Sequence, residues 1–436
     1  MWFSAVNPGN ALSVILGFSL AIGPVLVQGS CGGIGHVKGS KNRIGDFVHP
    51  GLWHTHDDLE RMRLGVKNEQ EPYASAFANF SKSPFSQATY KMAGPLPTIC
   101  RGCGTNETIL TNDTLAAYQN ALMWYITRDQ GHWDRATAIL DAWGTTITAI
   151  GGRDEPLLLG LQGDTLVNAA EIMRWEGGWV EKGARPLGTS GFSAKIQMFK
   201  DRGKFIGQAN YGMVSIKSLL SYAVFLDDVS AWNYAIWHYL EDPCAGLAGN
   251  FDFESGQSSE TGRDQDHAIG GIGWAAEAAR VVQSQGTDLY AEHDNILMRA
   301  AEYTAKYNLG HEVPYDRSFY RCTAQLVNGP WTKPSNIHRA SEAGFLNVPK
   351  SFDIIYYQYA VKRGLEMPYT TEMKKKLDAI GGEGRVSKNP QDHPGWGDLI
   401  WSYPGKGEFL NDDSRTIWGG GSLGPDGTGF FNNGTA

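Results

Sequence analysis

The run Glu260-Thr261-Gly262-Arg263-Asp264-Gln265-Asp266-His267 brings carboxylates, a guanidinium, an amide and an imidazole into one short stretch. A small-residue, apolar segment with helical character, Ala268 to Val282, follows at once. Polar groups this dense are costly to bury unless they are paired or bind something. A cap for the following helix needs only one or two of them. An imidazole takes or gives a proton near neutral pH, while a guanidinium and an amide hold a carboxylate. Together these types suit a cleft that recognises an anionic sugar and removes a proton from it.

His267 is the first candidate for the acid–base group, with a helix-capping or satisfied core histidine as the plain alternative. Glu260 either shares a proton with a substrate carboxylate or orients His267 and pairs with Arg263. Arg263 and Gln265 are candidate binders of carboxylate or hydroxyl groups. Asn210, opening another helix, is a candidate donor to a carboxylate or an ordinary N-cap. A tyrosine is the natural partner of the histidine: Tyr315 or Tyr320 is favoured over Tyr307, because Arg317 and Arg321 stand beside them to stabilise a phenolate. Tyr307 and Arg339 remain candidates for substrate binding, with His338 beside them, and Trp53 and His54 are candidates to line the cleft. Trp53 suits a core anchor equally well. His54-x-His56 beside Asp57 has the look of a metal fragment, but no further ligands complete it, so no metal and no cofactor is expected.

The elements that must position these residues read as helix pairs. Apolar residues recur at helical spacing in Leu115 to Arg128 and, after a short Gly-containing break, in Trp133 to Ile150. Thr165 to Trp175, Asn210 to Leu226 and, after Asp227-Asp228, Ala231 to Leu240 continue the series. His267 to Val282 pairs with Leu289 to Tyr307, and Phe352 to Arg363 with Thr370 to Leu377. No comparable period-two alternation appears, which disfavours a sheet. Five or more helical hairpins without a fixed-length repeat predict an all-α fold, an α/α toroid or barrel whose inner helices line a cleft. Gly270, Gly271 and Gly273 suit an inner helix packed closely on its neighbours. The loops Gly310 to Ser351 and Gly381 to Gly397 are placed to close over that cleft.

The chain has 436 residues and a net charge of −8, with no basic run longer than Lys374-Lys375-Lys376. That charge pattern excludes a nucleic-acid partner, which needs a clustered basic footprint. A polyanionic substrate remains compatible if the cleft is locally basic. Ala11 to Val27 is uncharged and apolar apart from Ser and Gly, and predicts a signal peptide over residues 1–29. The folded domain is then expected over 30–404, a Gly-rich tail over 405–436, and no membrane association once the leader is cleaved. Sequons at Asn79, Asn106, Asn112 and Asn433 agree with a secreted, extracellular, monomeric glycoprotein. Of the five cysteines, Cys31, Cys100, Cys103, Cys244 and Cys322, the Cys100-Arg101-Gly102-Cys103 pair predicts a local disulfide.

Several blocks in combination resemble the alginate-lyase-like family of secreted polysaccharide lyases. They are His49-Pro50-Gly51-Leu52-Trp53-His54-Thr55-His56 with Asp57 to Arg63, the Glu260 to His267 run, and Gly286-Thr287-Asp288-Leu289-Tyr290. Glu302 to Gly310 and Tyr356-Tyr357-Gln358-Tyr359 through Pro368 complete the set, which spans about residues 46 to 400. The resemblance implies an α/α barrel that acts by β-elimination on a 1,4-linked uronate polymer, glucuronan or mannuronate-rich alginate. Between Val313 and Ile355 the sequence departs from the pattern. Such an elimination needs the C6 carboxylate neutralised, a base for the C5 proton and an acid for the departing O4. Two other readings compete. A glycoside hydrolase would use two carboxylates, Glu260 with Asp264 or Asp252. A secreted glycan-binding protein would keep the cleft without the chemistry.

Overall fold

The computed structural model describes residues 47–103, 106–184, 190–319, 331–344, 348–349, 351–383 and 392–403. Residues 1–46 and 404–436, and with them the expected leader, the tail, Cys31, Cys322, Tyr320 and Arg321, lie outside the described residues.

Twelve helices make six hairpins. They are α1 (His56–Lys67) with α2 (Tyr73–Phe80), α3 (Glu107–Thr127) with α4 (Gln130–Thr146), and α5 (Asp164–Trp175) with α6 (Phe192–Gly203). Then follow α7 (Ala209–Phe225) with α8 (Val229–Glu241), α9 (Gln265–Ser284) with α10 (Glu292–Asn308), and α11 (Phe352–Tyr356) with α12 (Pro368–Ala379). The first member of each pair touches the first member of the next, and the short helix Gly397–Ile400 bridges α11 back to α1. The result is a ring of inner helices sheathed by outer ones. The expected all-α toroid is the fold observed.

Burial shows which helix goes where. Every residue of α7 from Gly212 to Phe225 is buried, as an inner helix packed on all sides requires. On α8 the buried residues are Trp232, Ala235, Ile236 and Tyr239, one stripe at i, i+3, i+4 and i+7, so its other face meets water. Two three-residue strands, β1 (Thr98–Cys100) and β2 (Ala149–Gly151), pair in parallel at the rim.

Local chemistry sets the breaks. The α3–α4 turn comes from Arg128, left-handed at φ 60°, with its guanidinium 4.0 Å from the centre of the Tyr125 ring; Asp129 then caps α4. Gly131, which the sequence suggests for that break, lies inside α4. The expected continuous helix Leu289 to Tyr307 is also corrected. His293, Asp294 and Asn295 all have positive φ, and right-handed helix resumes at Ile296. Helices α1, α2 and α6 escape the periodicity reading, yet α6 carries its signal in Phe192, Ile196 and Phe199.

One end of the ring is plugged by Val48 to Thr55. Gln285, just past the end of α9, donates to the Gly51 carbonyl at 2.7 Å and accepts from the Val48 N–H at 2.8 Å. Asn168 accepts from the Trp53 N–H at 3.0 Å, and Arg280 donates to the Trp53 carbonyl at 2.9 Å. His49 Nδ1 meets Glu171 at 2.6 Å and its ring stacks on Trp175 at 4.4 Å. Burial alone would lower the His49 ring, but Glu171 and Asp227 outweigh it and push it up to about 9.

Two tests follow from this packing. A Cβ at Gly273 would sit 2.3 Å from Ser351 Cβ and 2.6 Å from His393 Cε1, whereas one at Gly271 meets nothing within 4 Å. Gly273→Ala should therefore destabilise the fold by about 1–3 kcal/mol through forced repacking. Gly271→Ala should be neutral or stabilising by up to about 1 kcal/mol, since only helix propensity changes; urea unfolding measures both. The His49 pair stabilises the fold when protonated, by roughly 3 kcal/mol for a shift of this size. That contribution is complete below the free-histidine value of 6.5 and disappears as pH rises through about 9. The unfolding penalty of His49→Gln should accordingly be large at about pH 6 and small at about pH 10.

Candidate active site

Toward the opposite end of the ring lie the N-termini of the inner helices α5, α7 and α9. Asp154, just ahead of the helical turns leading into α5, accepts from Tyr211 Oη at 3.0 Å, and Tyr211 lies in the first turn of α7. The Asp154 N–H donates to the Arg101 carbonyl at 3.2 Å, next to the start of α3. Each such terminus carries unpaired N–H groups and a partial positive charge, so their convergence favours an anion.

His267 stands in the first turn of α9. Asp264 is the N-cap: its carboxylate accepts from the His267 N–H at 2.8 Å and from the ring Nδ1 at 2.7 Å. One carboxylate thus starts the helix and fixes the ring. Because it only accepts, the neutral ring carries its proton on Nδ1 and its lone pair on Nε2. The His267 side chain is 33 % exposed. Burial would raise the Asp264 carboxyl, but its bonds to His267 and the charge of Arg263 bring it below the usual value.

Asn210, the second residue of α7, is 1 % exposed, and neither its Nδ2 nor its Oδ1 finds a partner. The N-cap position belongs to Gln208, so Asn210 is not a cap. An unsatisfied buried amide costs about 1–3 kcal/mol. It stands in the first turn of an inner helix with both polar atoms unpaired.

Arg263 reaches Glu260 Oε2 at 3.5 Å and Asp264 Oδ2 at 3.6 Å. Glu260, as buried as Asn210 at 1 % exposed, sits against that guanidinium and is placed to orient Arg263. Tyr315 is brought to the same block: a Cβ on Gly262 would lie 2.4 Å from its Oη and 2.3 Å from Trp331 Cβ. Gln257 holds it there, donating to the Asp316 carbonyl at 3.0 Å and accepting from the Asp316 N–H at 2.7 Å. Burial and the Asp316 charge push the Tyr315 phenol up, the reverse of the lowering expected from neighbouring arginines. The phenol donates to the Trp331 carbonyl at 3.4 Å.

The other candidates are committed to structure. Gln265 donates to the Thr261 and Ser335 carbonyls and accepts from Asn308 Nδ2 at 2.9 Å. Tyr307 Oη donates to Asn336 Oδ1 at 2.5 Å, while Arg339 lies over its ring at 3.9 Å and donates to the Tyr307 and His311 carbonyls. These three fasten the 331–340 segment to α9 and α10. Trp53 is 0 % exposed at the plugged end, and His54 Nε2 bonds Tyr118 Oη at 2.7 Å. Burial drives the His54 ring down to about 3, so it is a neutral core residue. His56 turns away to Glu176 at 3.0 Å, so the His54-x-His56 pair does not converge on a metal. Tyr320 lies outside the described residues.

Below the cleft runs a buried ionic row that the sequence reading missed. Lys217 of α7 bonds Glu277 of α9 and lies 3.2 Å from Asp164 of α5; Glu277 also holds His393 Nδ1 at 2.6 Å. Burial pushes the Asp164 carboxyl up to about 6, while Lys217 and His393 keep Glu277 below its usual value against the same burial. Away from the cleft, Asp353, Asp378 and Asp398 converge, and Lys374 Nζ fills their centre at 3.1, 3.0 and 2.7 Å.

Carboxylates suited to hydrolysis are spoken for. Asp264 holds His267, Glu260 is buried, and Asp252 closes its own turn by accepting from the Ser255 N–H at 3.0 Å.

No protein-family model and no curated protein matches the sequence. Solved structures do. An alginate lyase from Bacteroides ovatus superimposes with a TM-score of 0.50 at 12 % identity, over 82 % of this chain and 100 % of that one. Alginate lyase A1-III from Sphingomonas species A1 gives 0.50 at 12 % identity over 80 % and 95 % of the two chains. An apo variant of alginate lyase A1-III gives 0.51 at 13 % over 80 % and 94 %. The chain therefore shares the toroid fold of alginate lyases. No helix among the described residues is long and apolar enough to cross a membrane.

Removing one partner of a buried ion pair strands the other charge. Lys217→Met should cost about 3–5 kcal/mol. Adding Glu277→Gln and Asp164→Asn should recover part of that loss, read from chemical denaturation of the single and triple variants.

Proposed function

We propose that the protein is a polysaccharide lyase that cleaves a 1,4-linked uronate polymer, glucuronan or mannuronate-rich alginate, by β-elimination. The observation that carries this reading is His267. Its ring is fixed by the Asp264 carboxylate and one-third exposed, with Nε2 unbonded among the described residues, at the end where inner-helix N-termini and the unsatisfied Asn210 amide favour a carboxylate. The shared fold of solved alginate lyases supports the class of reaction.

In this mechanism Asn210 and Arg263 receive the C6 carboxylate, and their donors stabilise the enolate-like charge as it forms. His267 Nε2 takes the C5 proton. The C5–H electron pair becomes the C4–C5 double bond, the C4–O4 bond breaks, and the Tyr315 phenol gives its proton to O4. The phenol's upward shift supports that assignment of acid and base. The protein acts as a secreted monomer and needs no cofactor.

The test is ultraviolet absorbance on polyglucuronate, polymannuronate and polyguluronate in parallel. Absorbance should rise on one of the first two, and His267→Ala should lower the rate at least ~10²-fold. Asp264→Asn keeps a competent N-cap, so it should leave stability unchanged while lowering kcat by ~10²–10⁴ through the wrong ring tautomer. Flat absorbance with new reducing ends would mean hydrolysis instead.

A further inference from the structure

Cys100 and Cys103 form the expected local disulfide, and one of the two residues between them, Arg101, has no place in the mechanism above. Its backbone is held from both sides. Arg101 N–H donates to the Gly151 carbonyl at 3.1 Å, continuing the β1–β2 ladder, and its carbonyl accepts from Asp154 N–H at 3.2 Å. Cys100 N–H donates to Asn106 Oδ1 at 3.0 Å, whose Nδ2 donates to the Thr98 carbonyl at 3.0 Å. Gly152, at φ 107°, passes so close that a Cβ there would lie 2.0 Å from the Arg101 carbonyl oxygen. The disulfide closes this rim loop over the Asp154–Tyr211 hydrogen bond, one residue from Asn210.

The Arg101 guanidinium makes no hydrogen bond and no ion pair among the described residues, although it is only partly exposed. Its charge acts on Tyr211 together with that of Arg263, and on Asp392 together with that of His267. It also acts on Asp154, against which the loop packs: a Cβ on Gly102 would lie 2.7 Å from Asp154 Oδ2, so Arg101 stands at the rim beside the first turn of α7. A planar guanidinium with free donors suits a carboxylate. In a polymer with one carboxylate per sugar, the cleft must meet the carboxylates of neighbouring units as well as that of the reacting one.

We propose that Arg101 binds the carboxylate of a uronate unit adjoining the reacting one, and that the Cys100–Cys103 disulfide holds it in place to do so. The inference rests on the proposed lyase reading and adds a subsite to it.

The experiment compares wild type, Arg101→Ala and Arg101→Lys on the cleaved polymer, with and without a thiol reductant. Arg101→Ala should raise KM about tenfold, the equivalent of one charged hydrogen-bonded contact, and leave kcat within about twofold, because uniform binding is lost. Arg101→Lys should restore part of the loss. Reductant, or Cys100→Ser with Cys103→Ser, should raise KM in wild type but add nothing to Arg101→Ala. An unchanged KM in Arg101→Ala with an active wild type overturns the proposal. A KM rise that the reductant reproduces equally in Arg101→Ala overturns the part assigned to the disulfide. A wild type inert toward every uronate polymer, in cleavage and in binding, overturns the lyase reading and the subsite with it.

Discussion

The structure depends on one buried ammonium. Lys217 is 1 % exposed, in the middle of an inner helix whose other residues there are mostly apolar. Taking its charge out of water costs several kcal/mol before any partner is counted. Glu277 on one neighbouring helix and Asp164 on the other offset that cost, and they do so only if α5, α7 and α9 keep their relative height and rotation. Apolar packing sets how closely the helices approach, whereas this ionic row sets their register. His393, bonded to Glu277, extends the row to the chain segment that returns over the ring.

Register matters because of what stands above the row. Asn210 is seven residues before Lys217, and His267 is ten residues before Glu277. At 1.5 Å per residue these are roughly 10 and 15 Å up two adjacent helices, at the same end of the ring. A slip of one helix by a turn would shift one of these groups by about 5 Å against the other, enough to separate Asn210 from His267. The plug of residues 48–55 closes the far end, away from the side where helix N-termini converge.

How much of this was legible depends on whether the information is local. Helices α3, α7, α8 and α9 show in the sequence because their apolar spacing is local, and His267 with Asp264 shows because a cap and a first-turn histidine lie three residues apart. Lys217 also had a signal, a lone lysine in a run otherwise buried all round, but reading it requires knowing that two carboxylates on other helices await it. Gln265, Tyr307 and Arg339 have the right chemistry for a binding site and are consumed in docking the 331–340 segment, which no sequence spacing reveals. Arg128 ends α3 in a left-handed conformation that glycine usually takes, so the break was expected at the wrong residue.

A negative net charge does not fix the field inside a cleft. Of its carboxylates, Asp58 pairs with Arg280 and Arg61, Glu171 with His49, Glu277 with Lys217 and His393, and Asp264 with His267. Charges neutralised at contact distance contribute little field beyond their partners. Exposed acids elsewhere on the surface are screened within about 8 Å at physiological ionic strength. Beside His267 the field is the sum of nearby terms, among them Arg263, Arg101, helix N-termini and an amide with unused donors. The net charge of −8 describes the molecule seen from far away, and the cleft answers to a distance at which that sum is dominated by its own walls.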